Sequence, residues 1–222
     1  MDMYGDLPFP RTEPALKAMR FARDIEEPAI FNHSMRTYLY GRFLGEQQGL
    51  RPGHDYDDEL LFLGCVLHDV GLSDEGNGDQ RFDVDGADVA ARFLTEQGVA
   101  PDKVEIVWDA VALHLFFEVA HRKRPEIALV TAGAGYDLTP AAAHPLPAGY
   151  ADRIHAVLPR LHAAAALRDA IVGQALDKPH KAPPYSMMGE LVRQKTRGSW
   201  PTWDQLMSQS PGWNDFDGLG GD

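Results

Sequence analysis

The sequence predicts an all-α protein. Apolar residues recur at three- and four-residue steps along most of the chain, and residues that start and stop helices bracket those runs. No alternating strand pattern persists. The most strand-like stretch, LVT at 129–131, is too short to found a sheet, and no repeat of 20–50 residues is present. The 222 residues suit one large domain, 1–222, whose C-terminal extension over 177–222 reads as short helices and a flexible tail.

The first helix opens at Thr12, whose hydroxyl offers a cap, with Pro14 tolerated in the first turn and helix formers filling 15–25. Pro28 then breaks the chain. Residues 30–48 read as one long helix with Phe31, Ser34, Tyr38, Leu39 and Phe43 on or near an apolar face, and Gly49 with RPGHDYDD forms its exit loop. Residues 59–70, ELLFLGCVLHDV, are apolar on nearly every side until His68 and Asp69, which marks a central, buried helix. The glycine- and aspartate-rich stretch 71–85 is a loop by composition. Residues 86–98 form the next helix, stopped by Gly98, and Pro101 opens another carrying Val104, Val107, Val111, His114 and Leu115. A short helix over 125–132 ends at the pair Gly133 and Gly135. Residues 144–150 connect to helices over 151–158 and 161–176, and short pieces near 186–194 and 202–208 follow.

Charge narrows the partners. Lys and Arg number 21 against 33 Asp and Glu, a net charge of −12. Nucleic-acid binding draws affinity from cations on phosphates, so no nucleic-acid partner is expected. No stretch approaches ~18 consecutive apolar residues, so no membrane span is expected either. The N-terminus lacks the basic start and apolar run of a secretory signal. The single cysteine, Cys65, fits a reducing compartment, and the expected location is cytoplasmic with a small-molecule substrate as partner.

Three polar positions sit where packing alone would not choose them. His68 and Asp69 close the apolar run, and burying both is costly unless the pair is satisfied. A divalent metal satisfies both, since imidazole and carboxylate are good zinc or iron ligands. A plain helix C-terminus, with Asp69 facing water, is the alternative. His33, in FNHSMR, reads alone as a surface or capping histidine, and Asp137, in GAGYDLTP, as a turn residue. Together, in the order His33, His68-Asp69, Asp137, two nitrogens and two oxygens suit one divalent ion that keeps positions open for water.

This spaced pattern, H…HD…D, resembles the signature of the HD-domain metal-dependent hydrolase superfamily. NHSMRTYLYG (32–41), LGCVLHDVGL (63–72), RFDVDGADVAARFL (81–94), VWDAVALH (107–114) and RKRPEIALVTAGAGYDL (122–138) are similar to blocks of its cyanamide hydratase-like branch. The resemblance covers the domain core, about residues 12–176. It implies an HD-domain helical bundle in which His33, His68, Asp69 and Asp137 bind the metal, with zinc as the ion. Iron or manganese, or two ions, are the alternatives. In dinuclear relatives, further histidines come from the loop before a GA-starting helix and from the helix after it. This chain has Asp85 before Gly86-Ala87 and His114 on the next helix, a departure that favours one metal.

The resemblance implies a hydratase or hydrolase, with water added to a nitrile-type C≡N group. Asp69 would orient the water and His114 would deliver the proton. Bulky Leu115, Phe116 and Phe117 after that histidine suggest a pocket reshaped to be more apolar than cyanamide needs. The rivals are a phosphohydrolase of a nucleotide or phosphomonoester, drawing on Arg36 and the cluster Arg122, Lys123 and Arg124, and a dinuclear-iron oxygenase using Asp85 and His114. His54, His144, His155, His162 and His180 are expected to have no role in the site, whereas His121 belongs to the basic cluster of Arg122, Lys123 and Arg124, a solvated turn or a rim that attracts an anionic substrate. Trp200, Trp203 and Trp213 are placed to lid the pocket or to pack on the domain or a second subunit, so a homo-oligomer stays open.

Overall fold

Each helix begins where local chemistry supplies a start. In the computed structural model, which describes residues 4–139, 145–199, 201–202 and 205, the order is α1 Glu13–Ile25, α2 Pro28–Gln47, α3 Asp58–Leu67, α4 Phe82–Glu96 and α5 Pro101–Leu113, then α6 Phe117–Ala120, α7 Pro125–Leu138, α8 Tyr150–Val157, α9 Ala163–Asp177 and α10 Met187–Thr196. Thr12 Oγ1 accepts from Ala15 N, Asp57 accepts from Glu59 N and Leu60 N, and Ser186 accepts from Gly189 N, capping α1, α3 and α10. Pro28, Pro101 and Pro125 sit in first turns, where a missing N–H costs nothing. Pro28 therefore opens α2 rather than merely ending what precedes it. Among the described residues there is no strand, only a bridge between Pro52 and Tyr56. None of the described helices is long and apolar enough to cross a membrane.

Three expectations needed correction. The helix predicted from residue 86 begins at Phe82, so the loop is shorter, and Asp83 and Asp85 lie in the first turn, at the positive end of the helix dipole. One helical turn, α6, forms in a stretch that carried no helix signal. The helix predicted to stop at 132 runs through both glycines to Leu138, so Asp137 is helical rather than a turn residue. Gly133 is there for contact. A Cβ on it would lie 2.2 Å from Thr37 O, and one on Gly41 would lie 2.7 Å from Leu129 O, so α2 and α7 cross backbone to backbone. The helix predicted over 202–208, together with His144, Trp200, Trp203 and Trp213, lies outside the described residues.

The core has two parts. The larger is built around α3, whose residues from Leu60 to Leu67 are all buried, and joins α1, α2, α4, α5, α7 and α8. Filling such positions with leucine, phenylalanine or valine contributes roughly 1.5–3 kcal/mol each. The smaller part joins Ile30, Leu72 and Phe82 to Leu167, Ile171, Ala175 and Met188 of α9 and α10. Burying α3 on every side carries its C-terminal residues, His68 and Asp69, into the interior.

Candidate metal centre

His33 lies in the second turn of α2, His68 caps α3, and Asp69 leads into a 3-10 turn at Val70–Leu72. All three are buried. One ligand atom from each falls within 4.8 Å of the others, a set that can hold an ion. His68 Nε2 lies 3.1 Å and His33 Nε2 3.7 Å from Asp69 Oδ2. His114, capping α5, brings its Nε2 to 3.8 Å from Asp69 Oδ1 and stands edge-on to His68, with ring centroids 4.9 Å apart.

The three histidines share a tautomer logic. His68 Nδ1 donates to Cys65 O at 2.7 Å and His114 Nδ1 to Val111 O at 2.6 Å, while His33 Nδ1 meets Asp137 Oδ2 at 2.7 Å. With each Nδ1 tied down, the three Nε2 lone pairs converge on Asp69, which is how protein structure prepares imidazoles as ligands. With Nδ1–H committed to Cys65 O, His68 Nε2 is an acceptor that faces the acceptor Asp69 Oδ2 at 3.1 Å. That contact needs a proton or a cation between them, and neither atom has another hydrogen-bond partner among the described residues. An unsatisfied buried polar atom costs about 1–3 kcal/mol, and a divalent cation among these donors removes that cost. The donor set, two imidazole nitrogens and a carboxylate, fits zinc or iron.

Electrostatics agree. Burial pushes the Asp69 carboxyl up, but His68, His33 and His114 outweigh it and hold it well below the usual carboxylate range. Burial lowers His68, and the charge of Asp69 more than reverses this, leaving it raised. His114 is pushed down to about 4, first by burial and then by His68, so at neutral pH it is an uncharged imidazole with a free acceptor.

Asp137 stands one step behind. Its carboxylate accepts a fork from buried Arg36, Nε to Oδ1 and Nη2 to Oδ2 both at 2.8 Å, and a third bond from Arg160 at 3.0 Å. Burial pushes its carboxyl up, but the hydrogen bonds and charges of Arg36 and His33 overcome this and hold it far below normal. The structure thus brings His33, His68 and Asp69 together and places Asp137 against the far nitrogen of His33. Asp85 is engaged elsewhere: buried Lys181 donates to its Oδ2 at 2.7 Å.

A cavity of about 440 Å³ opens on His33, His68, Asp69 and His114, with Phe82, Leu115, Leu167, Ile171 and Leu191 among its walls. The basic cluster is not among its lining residues. Lys123 pairs with Asp109 at 2.9 Å and Arg124 approaches Glu126 at 3.5 Å. His155 contacts Tyr40 Oη at 3.2 Å, and His54 pairs with Asp55 on the surface. Sequence reading missed Glu26, buried with neither carboxylate oxygen partnered among the described residues, whose acidity is suppressed by burial and then by the charge of Asp69. Glu26 lies in extended backbone between α1 and α2, outside the period of either helix, so nothing local in the sequence marks it.

Comparison with known proteins gives the same direction. The HD domain family model matches residues 30–156. The cyanamide hydratases DDI2 and DDI3 of Saccharomyces cerevisiae are each 30% identical over 69 residues, which is 31% of this chain and 30% of either relative. The chain thus matches less than a third of the length of those curated relatives. The family model covers more than half of the chain and includes all three residues of the buried cluster; the protein belongs to the HD domain family of metal-dependent hydrolases.

Proposed function

We propose that the protein is a hydratase that adds water to the C≡N group of a small molecule, with one zinc ion as cofactor. The observation that carries the metal is the pair of buried acceptors His68 Nε2 and Asp69 Oδ2, 3.1 Å apart with no other hydrogen-bond partner among the described residues, beside His33 Nε2. Hydration is supported by the similarity to the two yeast cyanamide hydratases. Zinc supplies a Lewis acid and makes water nucleophilic at neutral pH.

The chain's residues do the rest. His33, His68 and Asp69 hold the ion, and Asp137, clamped by Arg36, orients His33 in place of the fourth ligand that the resemblance implies. His114 was expected to deliver a proton. Because it is neutral, its Nε2 first takes a proton from the attacking water and then returns it to the nitrile nitrogen. Oxygen bonds to the nitrile carbon, both protons of water end on nitrogen, and an amide results. The engagement of Asp85 by Lys181 favours one ion over two. A phosphoester has less to bind here, since Arg36 is committed to Asp137, and Lys123 and Arg124 pair away from the cavity.

Metal analysis of protein purified without chelator should find one zinc per chain, and a screen of nitriles and phosphomonoesters should give turnover of nitriles. Asp69→Ala should remove metal and turnover together, whereas Asp137→Asn should weaken metal affinity by about 10–100-fold. Full metal and full activity in Asp69→Ala would overturn the site. Turnover of phosphomonoesters alone would overturn the reaction.

A further inference from the structure

The wall that closes the cavity lies outside the stretch that matches the HD domain. That match ends at residue 156, whereas Ala164, Leu167, Ile171, Met187 and Leu191 come from α9 and α10. Leu167 and Ile171, with Met188 beside them, seat this wall on Ile30, Leu72 and Phe82. Two lysines fasten it. Lys178 Nζ donates to the carbonyls of Asn77 and Gly78 at 3.0 and 2.9 Å, and Lys181 Nζ to Asn77 Oδ1 and Asp85 Oδ2 at 2.8 and 2.7 Å. The second lysine is buried, so the attachment is a desolvated ion pair rather than a surface one.

Apart from the metal-site residues and His114, the polar side chains lining the cavity are already engaged. Arg168 pairs with Asp169 at 2.8 Å, Thr131 Oγ1 donates to Ile127 O at 3.4 Å, and Thr139 Oγ1 donates to Gly135 O at 3.1 Å. The rim is apolar and open to solvent, with Phe117, Leu138 and Met187 exposed. A space of about 440 Å³ falls within the ~300–1,000 Å³ of pockets that hold drug-sized ligands. A nitrile carrying only an amino group fills little of that.

We infer that α9 and α10 are the specificity element, and that the substrate is an uncharged molecule with an alkyl or aryl body joined to the reacting group. The reacting group rests on the nitrile reading above; the apolar body rests on the wall alone. The test titrates acetonitrile, propionitrile, butyronitrile, benzonitrile and the charged cyanoacetate into the metal-loaded protein, reading Kd by calorimetry and turnover separately. Affinity should rise about fourfold per methylene from acetonitrile to butyronitrile. Cyanoacetate should bind about tenfold more weakly than propionitrile, or worse, because Arg168, the one cation lining the cavity among the described residues, already pairs with Asp169. Ala164→Trp at the mouth and Met187→Glu on the exposed rim should flatten the dependence on chain length. Apolar binding of this kind without turnover supports the wall and refutes nitrile hydration. Affinity indifferent to chain length, cyanoacetate bound as well as propionitrile, or no measurable binding of benzonitrile overturns the inference whatever turnover shows.

Discussion

The position of one proton on His68 governs the proposed metal site. Its Nδ1 is committed to Cys65 O, so only Nε2 can take up a second proton, and that atom is the one offered to the ion. Because Asp69 raises the His68 pKa against the effect of burial, proton and metal compete for Nε2. Apparent metal affinity should therefore be flat at pH above that raised value and fall about tenfold per unit below it. Chelator competition across a pH series measures this, and a flat profile would show that His68 is not a ligand. His114 differs, since burial keeps it neutral and its Nε2 free. His114→Ala should keep one metal per chain while kcat falls by about 10²–10⁴. Normal kcat with normal metal sinks the proton-transfer role, and a drop from two metals to one would make it a ligand.

At the scale of elements, the crossing of α2 and α7 decides where the site residues end up. It brings His33 and Arg36 of one helix against Asp137 of the other, and glycine at 41 and 133 permits the approach. The two glycines of α7 should respond oppositely to the same change. Gly133→Ala forces a methyl onto backbone atoms of α2 and should destabilise by about 1–3 kcal/mol or more. Gly135 has nothing within 4 Å of an added Cβ, so Gly135→Ala should stabilise by about 0.5–1 kcal/mol through helix propensity. Chemical denaturation of both variants measures the difference, and equal effects would refute the reading of Gly133 as a contact residue. Two glycines close together in sequence read as a helix stop, although one of them serves a neighbouring helix.

Across the whole molecule, the buried pair of Lys181 and Asp85 ties the C-terminal helices to α4 and the loop before it, 96 residues away in sequence. Removing one partner leaves the other charged, buried and unpaired. Lys181→Met should cost about 3–5 kcal/mol, and adding Asp85→Leu should recover most of it. A double-mutant cycle in denaturant measures the coupling, and additive effects would show that the pair does not hold the unit in place. An acidic chain with a net charge of −12 thus uses one of its few cations inside rather than on a binding surface.

The sequence by itself determined the all-α class, the buried helix before His68 and Asp69, and the cap at Thr12. Apolar period and capping are settled within a few residues of chain, so they can be read locally. The HD pair was legible for a related reason, since two ionisable residues ending an apolar run need an explanation wherever the chain folds. Only the tertiary structure decided that α7 passes through its glycines, that Asp137 meets Arg36 and the far nitrogen of His33, that Asp85 belongs to Lys181, and that α9 and α10 wall the cavity. Each of these depends on which surfaces meet through space across separations of up to about a hundred residues, and neither periodicity nor spacing in one sequence records that.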